Sequence, residues 1–492
     1  MNTLPLLSLT LFLPLLGAVL ALLSRQQPKR CHAIAVVIST VTLVLAVLAG
    51  LRGVGPGFTQ IEEAAWIPSI GAAYRLGVDG FSYPLVLLTS VLFLGSFIFS
   101  AKIRDHPGSF VAVGLFLEMA CLGVFLSLDL VLFYVFFELT LVGMYFVISK
   151  WGHEGRKKAA LLFFLYTLVG SLFLLLGLLS LYLHSEPRTF DMRALIAAPP
   201  AIGGQLAALT FGALLLAFAI KTPLVPFHTW LPAAHTEAPA AGSAILAGIL
   251  LKLGAYGFIR ISLQMMPETF REHAWIVITL GVISAIYGAL VALAQTDLKR
   301  MVAYTSVNHM GYLVFGVGIA ALAAPQARGF ALTGASLQMI SHGIVTGMLF
   351  LLVGAVSDRT GGRREMPAMS GLLRSFPKLG GLFVFGSFAS LGLPGLAHFP
   401  AEFQIFLGGF NVSPWAVAAI LLGLVLTAAL YLRAIQTAFM GEPNPGLLRR
   451  RDDLTARELW AIVPLAALTL AVGVFPGWIT SLIHATAERL QF

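Results

Sequence analysis

The sequence predicts an all-α polytopic membrane protein with about 14 transmembrane helices. Three observations predict this fold class. The 492 residues are 58% hydrophobic and only 11% charged, the mean hydropathy is +0.90, and apolar runs of about 20 residues follow one another along the chain. This composition excludes an ordinary soluble globular protein.

Each apolar run is long enough to cross a bilayer as a helix. The runs lie near residues 4–23, 31–51, 79–101, 109–128, 129–149, 159–183, 206–234, 238–259, 273–294, 301–322, 330–355, 380–410, 413–438 and 460–483. The first run has no basic region before it and no small-residue cleavage motif after it. It therefore predicts a retained span and not a cleaved signal peptide.

The loop charges predict an orientation. Lys and Arg residues number 20 in the loops of one side and 8 in those of the other, and Arg449, Arg450 and Arg451 belong to the richer side. The positive-inside bias assigns the richer side to the cytoplasm and both termini to the outer side. This topology explains the net charge of +9 better than nucleic-acid binding does, so we expect the lipid bilayer as a partner and no nucleic acid.

Two of the runs contain helix-breaking residues at membrane depth. The prolines are Pro223, Pro226 and Pro232 in the seventh run, and Pro394 and Pro400 in the twelfth. Proline opens the backbone hydrogen-bond ladder, so both helices should be discontinuous. The breaks lie five spans apart, and an odd number of spans returns a repeat inverted. Within one membrane domain, 1–492, we expect inverted five-helix repeats at 109–262 (helices 4–8) and 272–438 (helices 9–13), followed by a C-terminal helix at 456–492.

Four ionisable residues stand inside or beside these apolar runs. Glu138 is the only acid or base, apart from tyrosines, in LVLFYVFFELTLVGMYFVIS (130–149). Lys221 and Lys252 occupy two further runs, and Glu402 follows the twelfth-helix break. A charge at such depth is costly, which favours a proton or ion relay. Static ion pairs that fix helix packing are the alternative.

Five histidines and one more carboxyl group complete the candidate set. We expect His309 and His342 inside spans as relay residues, with His228, His235 and His398 near span ends. A packed, hydrogen-bonded histidine is the alternative at each position. Glu118 is a further buried carboxyl, which either couples to Glu138 or pairs locally.

The chain offers little for metals or redox cofactors. Its two cysteines, Cys31 and Cys121, form no C-x-x-C pair, and no histidine spacing is typical of a metal site. We expect no metal and no cofactor on this chain, so any redox chemistry belongs to a partner.

Several strings resemble a known family across essentially the whole chain. They are LGVDGFS (77–83), SLDLVLFYVFFELTLVGMYFVI (127–148), KTPLVPFHTWLPAAHTEAPAAGSAILAGILLKLGAYGFIR (221–260), DLKRMVAYTSVNHMGY (297–312), LQMISHG (337–343) and LPG followed by AEF (393–403). The sequence resembles the proton-pumping, antiporter-like membrane subunits of respiratory complex I, and most closely their subunit M branch, which includes mitochondrial chain 4 and the cyanobacterial and chloroplast D subunit.

The resemblance implies roles for individual residues. Glu138 is similar to the essential fifth-helix glutamate, Lys221 to the lysine of the broken seventh helix, and Lys252 to the central lysine of the eighth. Glu402 is similar to the twelfth-helix glutamate of this branch. His309 and His342 match histidines of the linking polar axis.

Two segments depart from the family pattern. The family usually has LPDAH where this chain has LPAAH (231–235), which bears on cytoplasmic proton access. It usually has a small or polar residue and then Phe-Val before the twelfth-helix glutamate, where this chain has HFP (398–400), which bears on proton exit.

The resemblance also implies a function. The chain would be a proton-translocating subunit of a redox-driven NAD(P)H or ferredoxin:quinone oxidoreductase in the bacterial inner membrane, or in the thylakoid of a cyanobacterium. NADH or ferredoxin, flavin, iron–sulfur clusters and quinone would bind to partner subunits, which include homologous antiporter-like subunits. The alternatives are a sodium/proton antiporter subunit, a hydrogenase or formate hydrogenlyase-type subunit, and a purely structural scaffold. Glu402 and the VDGFS string favour the first function.

Overall fold

The structure, a computed structural model, describes residues 4–444 and 452–490. Its α-helices are α1 Leu6–Leu23, α2 Pro28–Leu51, α3 Tyr83–Phe99, α4 Pro107–Leu126, α5 Leu130–Trp151, α6 Arg156–Leu183, α7 Met192–Ala197, α8 Gly204–Lys221, α9 Trp230–Glu237, α10 Ala240–Ile245, α11 Leu251–Gly257, α12 Pro267–Glu272, α13 Ala274–Ala294, α14 Leu298–Leu322, α15 Pro325–Arg359, α16 Leu372–Ser375, α17 Pro377–Ser390, α18 His398–Phe410, α19 Pro414–Ala434, α20 Ala456–Val474 and α21 Gly477–Glu488. The two strands are β1 Thr59–Ile67 and β2 Ala72–Val78. Short π-helical segments are Leu246–Leu250, Phe258–Leu263 and Ile435–Phe439.

The number of membrane spans agrees with the prediction. Within the described residues, 13 helices are long and apolar enough to cross a membrane, counting Ala240–Leu263 as one. The broken pair α17 and α18, with 14 and 13 residues, makes the fourteenth span. The polytopic helical fold is therefore confirmed. Arg449, Arg450 and Arg451, which we counted on the basic side, lie outside the described residues.

Both predicted helix breaks are present. The seventh span consists of α8 and α9 and runs from residue 204 to 237, slightly longer than the predicted 206–234. The twelfth span consists of α17 and α18 and runs from 377 to 410. A break leaves the last carbonyl groups of the first half-helix without partners, so other groups must satisfy them. Trp230 Nε1, for example, donates to the Ile220 carbonyl, 3.0 Å away.

The C-terminal segment corrects one expectation. We expected one helix over 456–492, but the chain forms α20, which ends at Val474, and then α21, which begins at Gly477. Pro476 lies between them. Proline disfavours helical conformation in the residue before it and has no N–H to donate, which accounts for the interruption.

The spans that carry the candidate site lie at the centre of the bundle. The most apolar windows of Ala240–Leu263 and of α15 are completely buried, whereas that of α2 is only 28% buried. At 35 residues, α15 is the longest helix, and it packs against α10, α14, α17, α18 and α20. A polar group in the central part of α15 is therefore shielded from lipid by neighbouring helices.

A β-hairpin outside the spans was not predicted. β1 and β2 pair antiparallel, and the turn between them includes Gly71 at a φ of +74°. Arg75 of β2 donates to Asp129 at 2.8 Å and to Glu63 of β1 at 2.7 Å. The bond from Arg75 holds the pKa of Glu63 below its ordinary value. Asp129 in turn caps the N-terminus of α5, so the hairpin is fixed to the start of the span that carries Glu138.

Candidate functional site

Lys252 occupies a fully buried position in the eighth span. Its Nζ donates to the Ala247 carbonyl and lies 2.6 Å from Nδ1 of His342 on α15. Ala247 belongs to the π-helical segment that precedes α11, where widened backbone spacing frees carbonyl groups. Glycines let the two helices touch here, because a Cβ on Gly343 would lie 2.9 Å from the Gly248 carbonyl oxygen.

His309 on α14 lies between His342 and the twelfth-helix carboxyl. Its Nδ1 is 3.4 Å from Oε1 of Glu402, and its Nε2 is 2.9 Å from Oγ of Ser390. Gln338 of α15 donates to the same Glu402 oxygen at 3.4 Å. The His309 and His342 rings have centroids 5.6 Å apart. Lys252, His342, His309 and Glu402 thus form a buried series, which we call the central series.

His398 sits beside this series at the start of α18. Its Nδ1 is 3.0 Å from the Ala389 carbonyl, one of those freed by the twelfth-helix break. A carbonyl only accepts, so Nδ1 carries the hydrogen and Nε2 of the neutral ring is left as an acceptor. The ring centroid lies 4.6 Å from that of His309 and 6.3 Å from that of His342. His398 therefore closes the break and contacts both histidines of the series.

The break itself makes room for the Glu402 carboxyl group. Gly392 has a φ of +71°, and a Cβ there would lie 2.6 Å from Oε2 of Glu402. Only glycine combines this backbone conformation with that space. The break also packs closely on α20, because a Cβ on Gly473 would lie 2.3 Å from the Gly395 carbonyl oxygen.

A second group, Glu138 with Lys221, lies between the fifth and seventh spans. Lys221 Nζ donates to Thr140 Oγ1 at 3.3 Å and stands 4.7 Å from the centroid of the Phe137 ring. Phe137 precedes Glu138 directly on α5, and Thr140 follows it two positions later. Within the described residues, Glu138 and Lys221 make no ion-pair contact of 4.0 Å or less, and Oε1 of the half-buried Glu138 has no hydrogen-bond partner.

The two groups meet through the eighth span. Gly254 lies two residues after Lys252, and a Cβ on it would come within 2.5 Å of Thr222 Oγ1 and 2.9 Å of Lys221 Cβ. The end of α8 therefore packs directly on the helix that carries Lys252.

Three predicted residues lie apart from both groups. His235 is completely buried and stacks on Phe350 with ring centroids 4.6 Å apart, and neither ring nitrogen has a partner in the described structure. His228 lies in the seventh-helix break, and its ring centroid is 5.3 Å from that of Tyr287. Glu118 accepts a bond from Ser39 of α2 at 2.6 Å, so its direct contact is local.

Sequence reasoning missed several polar residues of the site. Gln338, Ser390 and Thr140 are uncharged and stand in spans where such residues are common, so hydropathy gives no signal for them. It also missed Arg260, eight residues beyond Lys252 in the same apolar span. Arg260 Nη2 donates to both carboxylate oxygens of Asp79, at 2.7 and 2.6 Å, and the pair is buried.

The grouping of possible metal ligands decides whether the described residues meet the requirements of metal and iron–sulfur sites. In the described ranges, no three or more His, Cys, Asp or Glu side chains are grouped as metal ligands. Cys31 on α2 donates to main-chain carbonyls of Ser24 and Ala21, and Cys121 lies on α4. A common iron–sulfur cluster needs four converging thiolates, and this sequence has two cysteines.

Two broken spans, each with a buried titratable side chain beside its break, and a buried series of titratable side chains between the eighth and twelfth spans define this protein as an antiporter-like membrane subunit. The chain belongs to the family described as NADH:quinone oxidoreductase/Mrp antiporter, transmembrane, which residues 127–427 match. The resemblance inferred from the sequence is confirmed.

Individual relatives extend this likeness over the whole chain. The NADH-quinone oxidoreductase subunit M of Rickettsia bellii is 38% identical over 504 residues, which cover 100% of this chain and 99% of the relative. A chain of respiratory complex I from Thermus thermophilus with bound NADH superposes with a TM-score of 0.88 at 33% identity, covering 99% of this chain and 100% of that one. A chain of the Mrp complex from Dietzia sp. DQ12-45-1b reaches a TM-score of 0.89 at 22% identity over 100% of this chain and 98% of that one, a likeness of fold alone.

Proposed function

We propose that this chain is the proton-translocating subunit M of a redox-driven NADH-quinone oxidoreductase, and that it acts as a part of that translocase without redox chemistry of its own. The central series carries the proposal. Four titratable side chains follow one another across the middle of the bundle, each completely or almost completely buried. Buried titratable groups in a membrane are costly, and a series of them is typical of a proton relay.

Electrostatics limit how many protons the series holds at once. Two unit charges 4 Å apart interact by about 4 kcal/mol in a partly polarisable interior. An ammonium on Lys252 therefore opposes a second positive charge on His342, 2.6 Å away. A proton that arrives at one end displaces the next toward His309 and Glu402. The step between the two histidines, whose ring centroids are 5.6 Å apart, needs a ring rotation or a bridging water.

In this proposal, the charges of Glu138 and Lys221 regulate proton transfer along the central series. Their charges sit on the fifth and seventh spans without a direct ion pair, and a change of either charge alters the field on the other across Thr140 and Phe137. Because α8 packs on the helix of Lys252, the field and position of Lys221 act on the central series. Glu138, Lys221, Lys252 and Glu402 are the residues of proton translocation in this proposal, and His228, His235, His309, His342, His398 and Glu118 are auxiliary.

The rest of the complex follows from the same proposal. NADH or ferredoxin, flavin, iron–sulfur clusters and quinone bind to partner subunits. The two broken helices would occupy equivalent positions in inverted repeats at 109–262 and 272–438. The complex would lie in a bacterial inner membrane, or in the thylakoid of a cyanobacterium, and the charge bias of the loops favours both termini on the outer side.

Purification of the intact complex tests this function. We expect homologous membrane subunits and a flavin- and iron–sulfur-containing arm to copurify with this chain. In proteoliposomes, electron transfer from NADH to a soluble quinone should acidify the lumen if the donor-binding arm faces outward. Electron transfer without acidification, with sealed vesicles verified by a pH jump, would contradict the proposal.

A sodium/proton antiporter subunit is the second candidate, because the fold is shared with the Mrp complex. Such a subunit would exchange Na⁺ for protons in the absence of quinone. Sodium-dependent pH changes in proteoliposomes that receive neither NADH nor quinone would therefore favour it over the redox-driven function.

A further inference from the structure

The two ring nitrogens of His309 face different partners. Nδ1 lies 3.4 Å from Oε1 of Glu402 and 3.5 Å from Nε2 of Gln338. Nε2 lies 2.9 Å from Oγ of Ser390, the last residue of α17 before the twelfth-helix break. Proton exchange with Glu402 therefore uses Nδ1, and the partner of Nε2 during that exchange is Ser390.

A hydroxyl group suits Nε2 both as a donor and as an acceptor. A neutral imidazole has one N–H group and one acceptor nitrogen, whereas both nitrogens of an imidazolium donate. The Ser390 hydroxyl can donate to Nε2 or accept from it. His398 shows the contrast, because its Nδ1 faces the Ala389 carbonyl and is thereby fixed as a donor. The hydrogen on Nε2 of His309 can change where that on Nδ1 of His398 cannot.

Two more hydroxyl groups lie behind Ser390. The Tyr431 side chain of α19 interacts with Ser390, and its hydroxyl oxygen is 3.4 Å from Oγ1 of Thr305 on α14. Thr305 donates its side-chain hydrogen to the Val302 carbonyl at 2.8 Å, so its oxygen is left to accept. All three hydroxyl-bearing side chains are completely buried. The hydrogens of Ser390 and Tyr431 can therefore point together toward His309 or away from it.

We propose that Ser390, supported by the Tyr431 hydroxyl, is a positioning residue for proton transfer through His309. This role rests on the proposed function, because it concerns the same proton path. While Nδ1 carries the hydrogen and faces Glu402, the Ser390 hydroxyl donates to Nε2. A proton that binds Nε2 makes this nitrogen a donor, and the Ser390 hydroxyl then turns its hydrogen toward Tyr431 and accepts from Nε2. The Nδ1 proton passes to the Glu402 carboxylate, which becomes a carboxylic acid, and the ring is neutral again with its hydrogen on Nε2.

The energetic reason lies in the burial of the ring. Without the Ser390 hydroxyl, Nε2 of His309 has no partner in any of these states. An unpaired buried polar group is costly, and the cost is greater when the group is charged. The loss therefore falls mainly on the imidazolium, the state through which the proton must pass.

Three variants of the intact complex test this role. Ser390→Ala removes the hydroxyl, and Ser390→Thr retains one. Ser387→Ala is the matched control, because Ser387 is buried one turn earlier on the same helix and donates to the Phe383 carbonyl at 2.8 Å. In proteoliposomes, we expect protons translocated per quinone reduced to fall about tenfold in Ser390→Ala. Ser390→Thr and Ser387→Ala should transport protons like wild type.

A double-variant cycle tests the support from Tyr431. Tyr431→Phe alone should cause a smaller loss than Ser390→Ala, and Ser390→Ala/Tyr431→Phe should be no worse than Ser390→Ala, because Tyr431 acts through Ser390. Additive losses, equal losses in Ser390→Ala and Ser390→Thr, or full transport in an assembled Ser390→Ala complex would overturn the inference. A wild-type complex that reduces quinone without moving protons would instead contradict the proposed function.

Discussion

Nζ of Lys252 lies 2.6 Å from Nδ1 of His342, and both side chains are completely buried. Either nitrogen can donate in this contact: an ammonium on Lys252 donates to a neutral imidazole, and an Nδ1–H of His342 donates to a neutral amine. Nε2 of His342 has no partner in the described structure and is free to exchange a proton with the groups around His309. This contact joins the eighth span to α15, which packs against both halves of the second broken helix.

His342→Leu should interrupt the central series. Leucine has a similar volume but no titratable nitrogen, so Lys252 would face an apolar side chain. We expect the proton transport rate to fall by tenfold or more, on the order that a positioned proton-transfer group contributes. The measurement is acidification per quinone reduced in proteoliposomes. His106→Leu is the control, because that side chain is exposed and lies before α4; equal losses in the two variants would exclude a specific role for His342.

Glu138→Gln should strongly reduce proton transport while the complex still assembles. Glutamine keeps the size of the side chain and removes its charge, so the field on Lys221 no longer changes with protonation. The matched control is Glu154→Gln, an exposed loop position beyond the end of α5. A Glu138→Gln complex that pumps like wild type would show that Glu138 has a packing role only.

Proton transport should require a carboxyl group at position 402. Glu402→Gln should reduce proton transport more than Glu402→Asp, because aspartate still exchanges a proton. His398→Ala should cost less than Glu402→Gln, since His398 mainly closes the helix break in this structure. We would measure protons taken up per quinone reduced in all three variants. Equal loss in the three would mean that the segment serves folding.

Gly392→Ala provides an independent test of the space around Glu402. The added Cβ would lie 2.6 Å from the carboxylate, and the backbone has a φ of +71° that alanine rarely adopts. We expect this variant to impair proton transport as much as Glu402→Gln. Gly395→Ala is the control for backbone strain, because Gly395 also has a positive φ of +87° but a Cβ added there would meet no atom within 4 Å. Normal transport in Gly392→Ala would contradict the predicted crowding of Glu402.

The sequence predicted the spans and both breaks because hydropathy and proline act locally. The β-hairpin was missed, since it is short and lies between long apolar runs. Contacts between distant residues could not be predicted either. Asp79 and Arg260 are separated by 181 positions and meet only through the packing of the third and eighth spans. The contacts of Lys221 with Thr140 and Phe137 of α5 likewise join residues about 80 positions apart, and no local pattern predicts them.

The Asp79–Arg260 pair should matter for stability. Asp79→Ala leaves Arg260 buried without its carboxylate, which costs about 3–5 kcal/mol, whereas replacing both residues by apolar ones is close to neutral. We expect Asp79→Ala to lower the thermal stability of the complex and Asp79→Leu/Arg260→Met to restore most of it. Asp105→Ala, at an exposed position, should have no effect. Failure of the double variant to recover would mean that the ion pair itself is required.

The most direct test of the central claim is the number of protons translocated per quinone reduced by the Lys252→Arg complex. Arginine keeps the positive charge and much of the volume of lysine, but it does not release its proton in proteins. If Lys252 passes protons to His342, this ratio falls well below that of wild type while the complex remains assembled and quinone is still reduced. A ratio equal to that of wild type would show that a fixed charge is sufficient at this position and would contradict the proposed relay.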